Sequence, residues 1–330
     1  MKESEIRDRG ALNKYLSLVK KDTNAFFDAG RFVSTECPAC GSGDHTHEFK
    51  KSPFSYVSCK KCRTLFVNPR PPFCAVRKFY SESQSASFWI NEFFKPTVRA
   101  RRKKIFVPRA AYVSEMIRLN ENSVIGDIGA GFGIFLEELR KVLPGNDYVA
   151  IEPSGEMADI CAQKKLRVVR GFLEELEGMD GTFDLLTTFE LIEHLCDPES
   201  FLKKVYSLLK PGGSFYLTTL NGLGFDILLL WEKSKSTEPP HHLNFFNTAS
   251  IRRLLKKLGF EIVEVSTPGR LDWDIVEGMI KHENVNPGRF WRLFAAEGSS
   301  ECKDALQNWI SAGNMSSHMR ILARKPRKKG

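Results

Sequence analysis

The chain has 330 residues, 42% of them hydrophobic and 27% charged, with a formal net charge of +9. That is ordinary globular composition, with length for one catalytic domain and smaller additions. No run approaches the roughly 18 apolar residues a membrane helix needs, and the first 30 residues hold no signal-peptide apolar stretch, so the expected location is the cytoplasm.

Much of the charge excess sits in Arg99-Ala-Arg-Arg-Lys-Lys104 and in Arg324-Lys-Pro-Arg-Lys-Lys329. Each cluster reads either as a solvated surface or as a footprint for a polyanion. Of eight cysteines, four fall in two close pairs and Cys74, Cys161, Cys196 and Cys302 are scattered, a usage that speaks against a disulfide framework.

In chain order, residues 1–33 form an N-terminal helical segment and residues 34–72 a zinc ribbon. Cys37-Pro-Ala-Cys40 and Cys59-Lys-Lys-Cys62 are separated by 18 residues, a spacing suited to a four-thiolate Zn2+ site. Gly41 and Gly43 supply the unusual backbone angles of the first knuckle. His45 and His47 stand between the pairs but are not needed as ligands, and are expected at the surface. The ribbon reads as structural, with a nucleic-acid-reading ribbon as the alternative.

Asn68-Pro-Arg-Pro-Pro72 is extended and marks a boundary. Residues 73–120 read as a helical linker and cover. Its aromatics Phe79, Tyr80, Phe88, Trp89, Phe93 and Phe94 serve either the core or a substrate cleft.

The main domain spans 121–325. Ser123–Ile128 is a strand, Gly129-Ala-Gly131-Phe-Gly133 a glycine turn, and Phe132–Val142 a helix. Such a turn lets the backbone approach a ligand. Asp127 before it can accept hydrogen bonds from the loop or from a bound ammonium group. A dinucleotide fingerprint would require glycine at 134, where Ile134 stands. Asp147–Glu152 is a second strand whose terminal carboxylate suits ribose hydroxyls. A third strand, 167–170, leads to Gly171-Phe172-Leu173, where apolar side chains can hold an adenine face. Phe183–Phe189 is the fourth strand, and Leu209–Thr218 supplies a helix end, a turn and the fifth.

Asp127-Ile-Gly-Ala-Gly-Phe-Gly133, Glu152, Phe189-Glu-Leu-Ile-Glu-His-Leu195 and Leu209-Lys-Pro-Gly-Gly213 together resemble class I S-adenosylmethionine-dependent methyltransferases. The resemblance implies an α/β fold with a doubly wound seven-stranded sheet, carrying here an N-terminal zinc ribbon and helical cover. It implies that Gly129 and Gly131 contact the cofactor's methionine moiety, Glu152 its ribose, and Phe172 and Leu173 its adenine; Gly133 and Phe189 are further candidates for cofactor binding. Many members place an acid after the third strand, and this chain has Gly171-Phe172-Leu173 instead. Pro240-His-His-Leu-Asn-Phe-Phe246 resembles a narrower bacterial group that joins a C-x2-C ribbon to this domain and is associated with cell-surface sugars and secondary metabolites.

Methyl transfer is an in-line displacement, and a sugar hydroxyl needs a base or a metal to react at neutral pH. Glu190, Glu193 and His194 follow the fourth strand at the carboxyl edge of the sheet, where ligands of such folds bind. On a helix, Glu190 and His194 would share a face. With His241 or His242 they offer either a metal-free base at His194, a site for a divalent metal, or a loop-organising cluster. The local pattern resembles that of small-RNA terminal 2'-O-methyltransferases and ubiquinone-pathway O-methyltransferases.

Phe260–Ser266 and His318–Ala323 complete the strands. Between them lies a helical insertion, 268–315, with helices near Asp272–His282, Arg289–Glu297 and Cys302–Ile310, expected to cover the acceptor. Trp273, Trp291 and Trp309 either stack on a ring or pack in the core. A basic tail, 326–330, ends the chain.

The expected function is O-methylation of a small hydroxylated acceptor: a sugar, nucleotide sugar or glycan end. The alternatives are an RNA methyltransferase and a non-catalytic cofactor-binding partner.

Overall fold

The structure is a computed structural model that describes residues 2–327. Two sheets organise it. The smaller contains β1 (His45–Lys51), β2 (Phe54–Cys59), β3 (Leu65–Val67) and β9 (Asn244–Phe245) in the order β1-β2-β3-β9, all antiparallel. The larger contains β4 (Val124–Ile128), β5 (Asp147–Glu152), β6 (Arg167–Arg170), β7 (Phe183–Phe189), β8 (Leu209–Leu220), β10 (Glu261–Ser266) and β11 (His318–Arg324). Its order is β10-β11-β8-β7-β4-β5-β6. Only the pairings of β11 with β10 and β8 are antiparallel. This is the class I methyltransferase sheet.

The central strands are nearly continuous apolar runs because both faces are covered. Leu185 packs on one face with Ile125, Phe135 and Leu139, and Leu186 on the other with Ile128, Phe201 and Phe215. Leu209–Gly213, expected as a helix end and turn, is already paired as strand: the register slips between Phe183 and Leu185, and Gly212 takes a φ of +87°.

The proline-rich segment after β3 is bolted down at both flanks. Asn68 meets His45 Nε2 at 2.6 Å and accepts from the Thr35 amide, while buried Arg70 donates to the Cys196 carbonyl at 2.7 Å. His45 is therefore half-buried and hydrogen-bonded, contrary to the surface placement expected of it; His47 is exposed.

Phe27, Phe54, Tyr56, Val67, Phe79, Ile227, Leu243 and Phe245 form one apolar core. It joins the N-terminal segment, the ribbon strands, the helix Phe73–Glu82, the helix Phe225–Leu230 and the loop before β9. The stretch expected to be helical after residue 73 is so, but interrupted by π-helical turns at Trp89–Phe94 and Arg102–Phe106. The insertion folds as helices Asp272–Glu283, Arg289–Glu297 and Ser300–Ala312. Trp273 is buried, Trp291 packs beside it, and Trp309 stays 60% exposed.

The Arg99–Lys104 cluster divides. Arg102 bridges Glu137 and Glu138, Lys104 pairs with Glu5, and Arg101 turns inward over Phe94, leaving Arg99 and Lys103 exposed. The second cluster runs partly beyond residue 327, and Lys328 to Gly330 of the basic tail lie outside the described residues.

Candidate active site and metal centre

The carboxyl ends of β4, β5 and β7 meet at the glycine turn. Gly129, Gly131 and Gly133 have φ of +70°, +55° and +66°, a region costly for any side chain. At Gly133 a Cβ would also collide with Leu166 and Cys161. At Gly129 and Gly131 it would meet no protein atom closer than 3.5 Å. Glycine at those two positions therefore keeps a cradle open rather than packing the interior. Glu152 faces it, its carboxylate accepting from the Gly131 amide at 2.7 Å and the Ser154 amide at 2.9 Å. Burial raises its pKa against those two bonds.

Asp127 is buried and accepts from the Thr187 hydroxyl at 2.7 Å. Burial pushes it up to about 7, with Thr187 and Arg109 opposing. Leu173 is buried in the sheet core, while Phe172 is half-buried between Phe73 and the Arg77 guanidinium. Phe189 packs edge-on to Phe135 and lies under the Arg109 guanidinium, 4.1 Å from the ring centre.

Beyond β7 the chain does not continue as the helix that would have put Glu190 and His194 on one face. Glu190 sits at φ +50°, and only Ile192–His194 makes a 3-10 turn. The left-handed residue sends the two glutamates different ways. Glu190 accepts from the Thr218 hydroxyl at 2.6 Å and lies 3.5 Å from His318 Nδ1 and 3.8 Å from Arg109. Burial works against its charge, but His318, Arg109 and Thr218 outweigh it and hold the carboxyl below its ordinary range.

Glu193 turns inward and is fully buried. Its Oε2 accepts from Thr219 at 2.8 Å, and its Oε1 has no protein partner. Burial, then the neighbouring Glu190, pushes it well above the usual carboxylate range. Glu193, His194 and His242 each bring a ligand atom within 4.8 Å of the others. Nδ1 of His242 donates to the Ser236 carbonyl, so its Nε2 carries the lone pair. Burial and the adjacent imidazoles push the His194 pKa well down, and His242 sits at about 4 for want of solvation.

His241 does not join this group. Its Nε2 meets the Tyr15 hydroxyl at 2.6 Å and its Nδ1 the Tyr80 hydroxyl at 3.1 Å, and Tyr80 also meets His194 Nδ1 at 3.0 Å. Tyr15, Arg109 and His318 were not found in the sequence. Only His318 had a signal there: an antiparallel last strand begins at the edge where the parallel strands end.

The ribbon cysteines converge. Cys37 and Cys62 Sγ are 3.4 Å apart, Cys40 and Cys59 3.5 Å, and all four lie within 4.8 Å of one another. The sulfur–sulfur edge of a tetrahedral zinc tetrathiolate is about 3.8 Å, given a Zn–S bond near 2.3 Å, so the donor set fits a structural Zn2+. The knuckles repeat one hydrogen-bond pattern, with left-handed Gly41 in the first and Arg63, not a glycine, in the second. Gly43 takes no such angle.

The ribbon also fixes the candidate site. β3 pairs with β9, two residues after His242; Asn244 donates to the Leu195 carbonyl at 2.7 Å and accepts from Arg70, and Asn247 donates to the Cys62 carbonyl.

A family profile described as a methyltransferase domain matches residues 99–265. The chain belongs to this methyltransferase family, and its fold and cofactor cradle make it an S-adenosylmethionine-dependent methyltransferase. It is 27% identical over 171 residues to a ubiquinone biosynthesis O-methyltransferase of Xanthomonas euvesicatoria, covering 48% of this chain and 70% of that one. A protein of the same name from Coxiella burnetii is 29% identical over 119 residues, covering 34% and 50%. In fold, the chain is similar to a Haloferax volcanii methyltransferase solved with the Trm112 activator (TM-score 0.50, 16% identity, 72% of this chain and 96% of that one). It is similar also to phosphoethanolamine N-methyltransferase 2 of Haemonchus contortus (TM-score 0.50, 18% identity, 80% and 63%). Among the described residues no helix is long and apolar enough to cross a membrane.

Proposed function

We propose that the protein methylates a hydroxyl of a small acceptor, a sugar, nucleotide sugar or glycan end, and that Glu193, His194 and His242 hold a divalent cation in doing so. The observation that carries this reading is the buried, partnerless Oε1 of Glu193 beside two imidazoles, one with its Nε2 lone pair fixed by Ser236. Histidine ligands are commonly oriented in this way by a carbonyl behind them. A bound cation supplies the acidity that an alcohol lacks at neutral pH. The two ubiquinone O-methyltransferases it is similar to support oxygen as the methylated atom.

Gly129, Gly131 and Gly133 would hold the cofactor's methionine moiety, Asp127 its ammonium, Glu152 its ribose and Phe172 its adenine, with Phe189 at the side, and the bound cofactor would supply an electrophilic methyl group. The acceptor oxygen would displace the sulfonium in line, the electron pair of the carbon–sulfur bond remaining on sulfur. The hydroxyl proton passes to Glu190, whose charge is held by His318 and Arg109 and whose side chain remains 40% accessible.

We assign residues 34–72 to the zinc ribbon, 73–120 to the cover and 121–325 to the catalytic domain with its insertion at 268–315. The alternative acceptor, RNA, is less well supported, because Arg102 and Lys104 of the Arg99–Lys104 cluster are held in internal ion pairs and Arg101 turns inward over Phe94.

The test incubates purified protein and labelled S-adenosylmethionine with separate pools of nucleotide sugars, phenolics and RNA, with and without exhaustive chelation. Chelation-sensitive transfer to a hydroxylated small molecule is expected. Transfer to RNA alone overturns the acceptor class. Activity that survives chelation in Glu193→Ala overturns the metal and returns the proton transfer to His194.

A further inference from the structure

The N-terminal helix Arg9–Phe26 comes from outside the catalytic domain, yet one of its side chains ends a chain of hydrogen bonds that starts at His194. The Tyr80 hydroxyl lies 3.0 Å from His194 Nδ1 and 3.1 Å from His241 Nδ1, and the Tyr15 hydroxyl lies 2.6 Å from His241 Nε2. Four separate elements meet in this way: the turn Ile192–His194, the helix Phe73–Glu82, the loop before β9 and the N-terminal helix. Tyr15 and His241 are both buried. The Tyr15 ring packs on Trp89 at 4.9 Å, and the His241 ring lies edge-on to Phe79 at 5.2 Å, which holds both rings in place. The helix itself is pinned on two sides: Asp22 accepts from the Ser85 amide at 2.7 Å, and Lys235 donates to Asn13 and to Glu283, each at 2.8 Å.

Hydrogen counting gives this chain a direction. A neutral His194 that presents a bare Nε2 carries its hydrogen on Nδ1 and donates it to the Tyr80 oxygen. Tyr80 has one hydrogen of its own, and it goes to Nδ1 of His241. The His241 hydrogen then stands on Nε2, with the Tyr15 oxygen as its acceptor. Without that oxygen the buried N–H has no partner, and His241 keeps its hydrogen on Nδ1 instead, because a bare buried nitrogen costs less than an orphaned N–H. Tyr80 then donates to His194, whose own hydrogen stands on Nε2. We infer that Tyr15 is a positioning residue for the reaction: through His241 and Tyr80 it selects the His194 tautomer with a bare Nε2. The inference rests on the reading that His194 works through that nitrogen, as a cation ligand or as a base.

Binding of Mn2+ to the full chain, followed by its paramagnetic signal, is compared in wild type, Tyr15→Phe, Tyr80→Phe and the double variant. Phenylalanine keeps the ring at position 15 against Trp89 and removes only the hydroxyl. Tyr15→Phe is expected to weaken Mn2+ roughly 3- to 30-fold, with the Kd for S-adenosylmethionine unchanged. In the Tyr80→Phe background the same change has less than about a twofold effect, because the chain is already cut. Equal affinity of wild type and Tyr15→Phe, or losses that simply add in the double variant, overturns the inference. Nitrogen NMR spectra of the imidazoles, recorded before Mn2+ is added, test it without the cation: His194 carries its hydrogen on Nδ1 in the wild type and shifts toward Nε2 in Tyr15→Phe. Failure of the wild type to bind Mn2+ sinks the cation reading alone. The spectra then decide, and an unchanged His194 tautomer in Tyr15→Phe overturns the positioning role.

Discussion

Glu193 is the residue on which the proposed chemistry turns. Its carboxyl is fully buried, keeps one bond from Thr219, and is raised well out of the usual range by burial and by Glu190, so without a cation the neutral acid is the favoured form. Glutamine is nearly isosteric with that acid and still accepts from Thr219. Glu193→Gln is therefore expected to change unfolding free energy by less than about 1 kcal/mol. The same substitution replaces a ligand carboxylate with a weak neutral donor. Methyl transfer should fall about 100-fold or more, and binding of Mn2+, followed by its paramagnetic signal, should be lost. Unchanged turnover with lost stability would make Glu193 a structural residue. Tyr80 makes a finer test, because its hydroxyl touches Nδ1 of both His194 and His241. Tyr80→Phe removes the group that orients His194 while keeping the ring against Phe79. A fall in kcat of roughly 10- to 100-fold is expected, the range found for groups supporting a ligating histidine, with cofactor Kd unchanged.

At the scale of elements, the ribbon and the candidate site prove to be one construction. β9 completes the ribbon sheet, and Asn244 on it ties Arg70 to the turn that carries His194. Asn244→Ala breaks both bonds in a fully buried place, and a cost of about 2–4 kcal/mol is expected by urea unfolding. Cys59→Ser should lower methyl transfer while leaving cofactor binding intact, because the cradle is held by β4 and β5 and not by the ribbon. Equal activity of Cys59→Ser and wild type would make the ribbon an independent module. The sequence discloses the local parts of this well. Cys37, Cys40, Cys59 and Cys62 are legible because a four-thiolate cluster requires short spacings within each pair, and the strand, glycine turn and helix at 123–142 because both periods are local. The pairing of Leu65 with Phe245 is not legible, since two residues of strand carry no period of their own. Nor is the left-handed backbone at Glu190, which separates two glutamates that a helical reading brings together, nor Tyr15, whose role depends on where its helix docks.

Over the whole molecule, the insertion is held to the sheet through a buried acid, Asp272, with a second buried acid beside it. Asp272 opens the first insertion helix and accepts from the Ser317 amide at 2.7 Å and the Ser316 hydroxyl at 2.8 Å, at the entry to β11. Asp226, on the helix Phe225–Leu230, lies beside it, fully buried and with neither carboxyl oxygen in a hydrogen bond. Burial, then the charge of Asp272, pushes Asp226 up to about 7. A carboxyl raised on folding binds more protons in the native than in the unfolded chain between its two pKa values, so stability falls as pH rises through that interval. The contribution is complete below about pH 4, the ordinary range of an aspartate, and is lost by the time pH passes 7. The buried histidines act in the opposite sense. His241, at about 3, and His242, at about 4, are lowered on folding, and their effect is to make stability rise with pH up to about 6.5. The wild-type profile therefore mixes two slopes, and the informative quantity is the difference from Asp226→Asn, which keeps the histidines and removes the titrating acid. Urea midpoints measured from pH 5 to 8 should show Asp226→Asn gaining on wild type as pH rises, by an amount on the order of 2 kcal/mol, and levelling above pH 7. A difference that stays flat across that range would show that the Asp226 carboxyl does not titrate there in the folded chain.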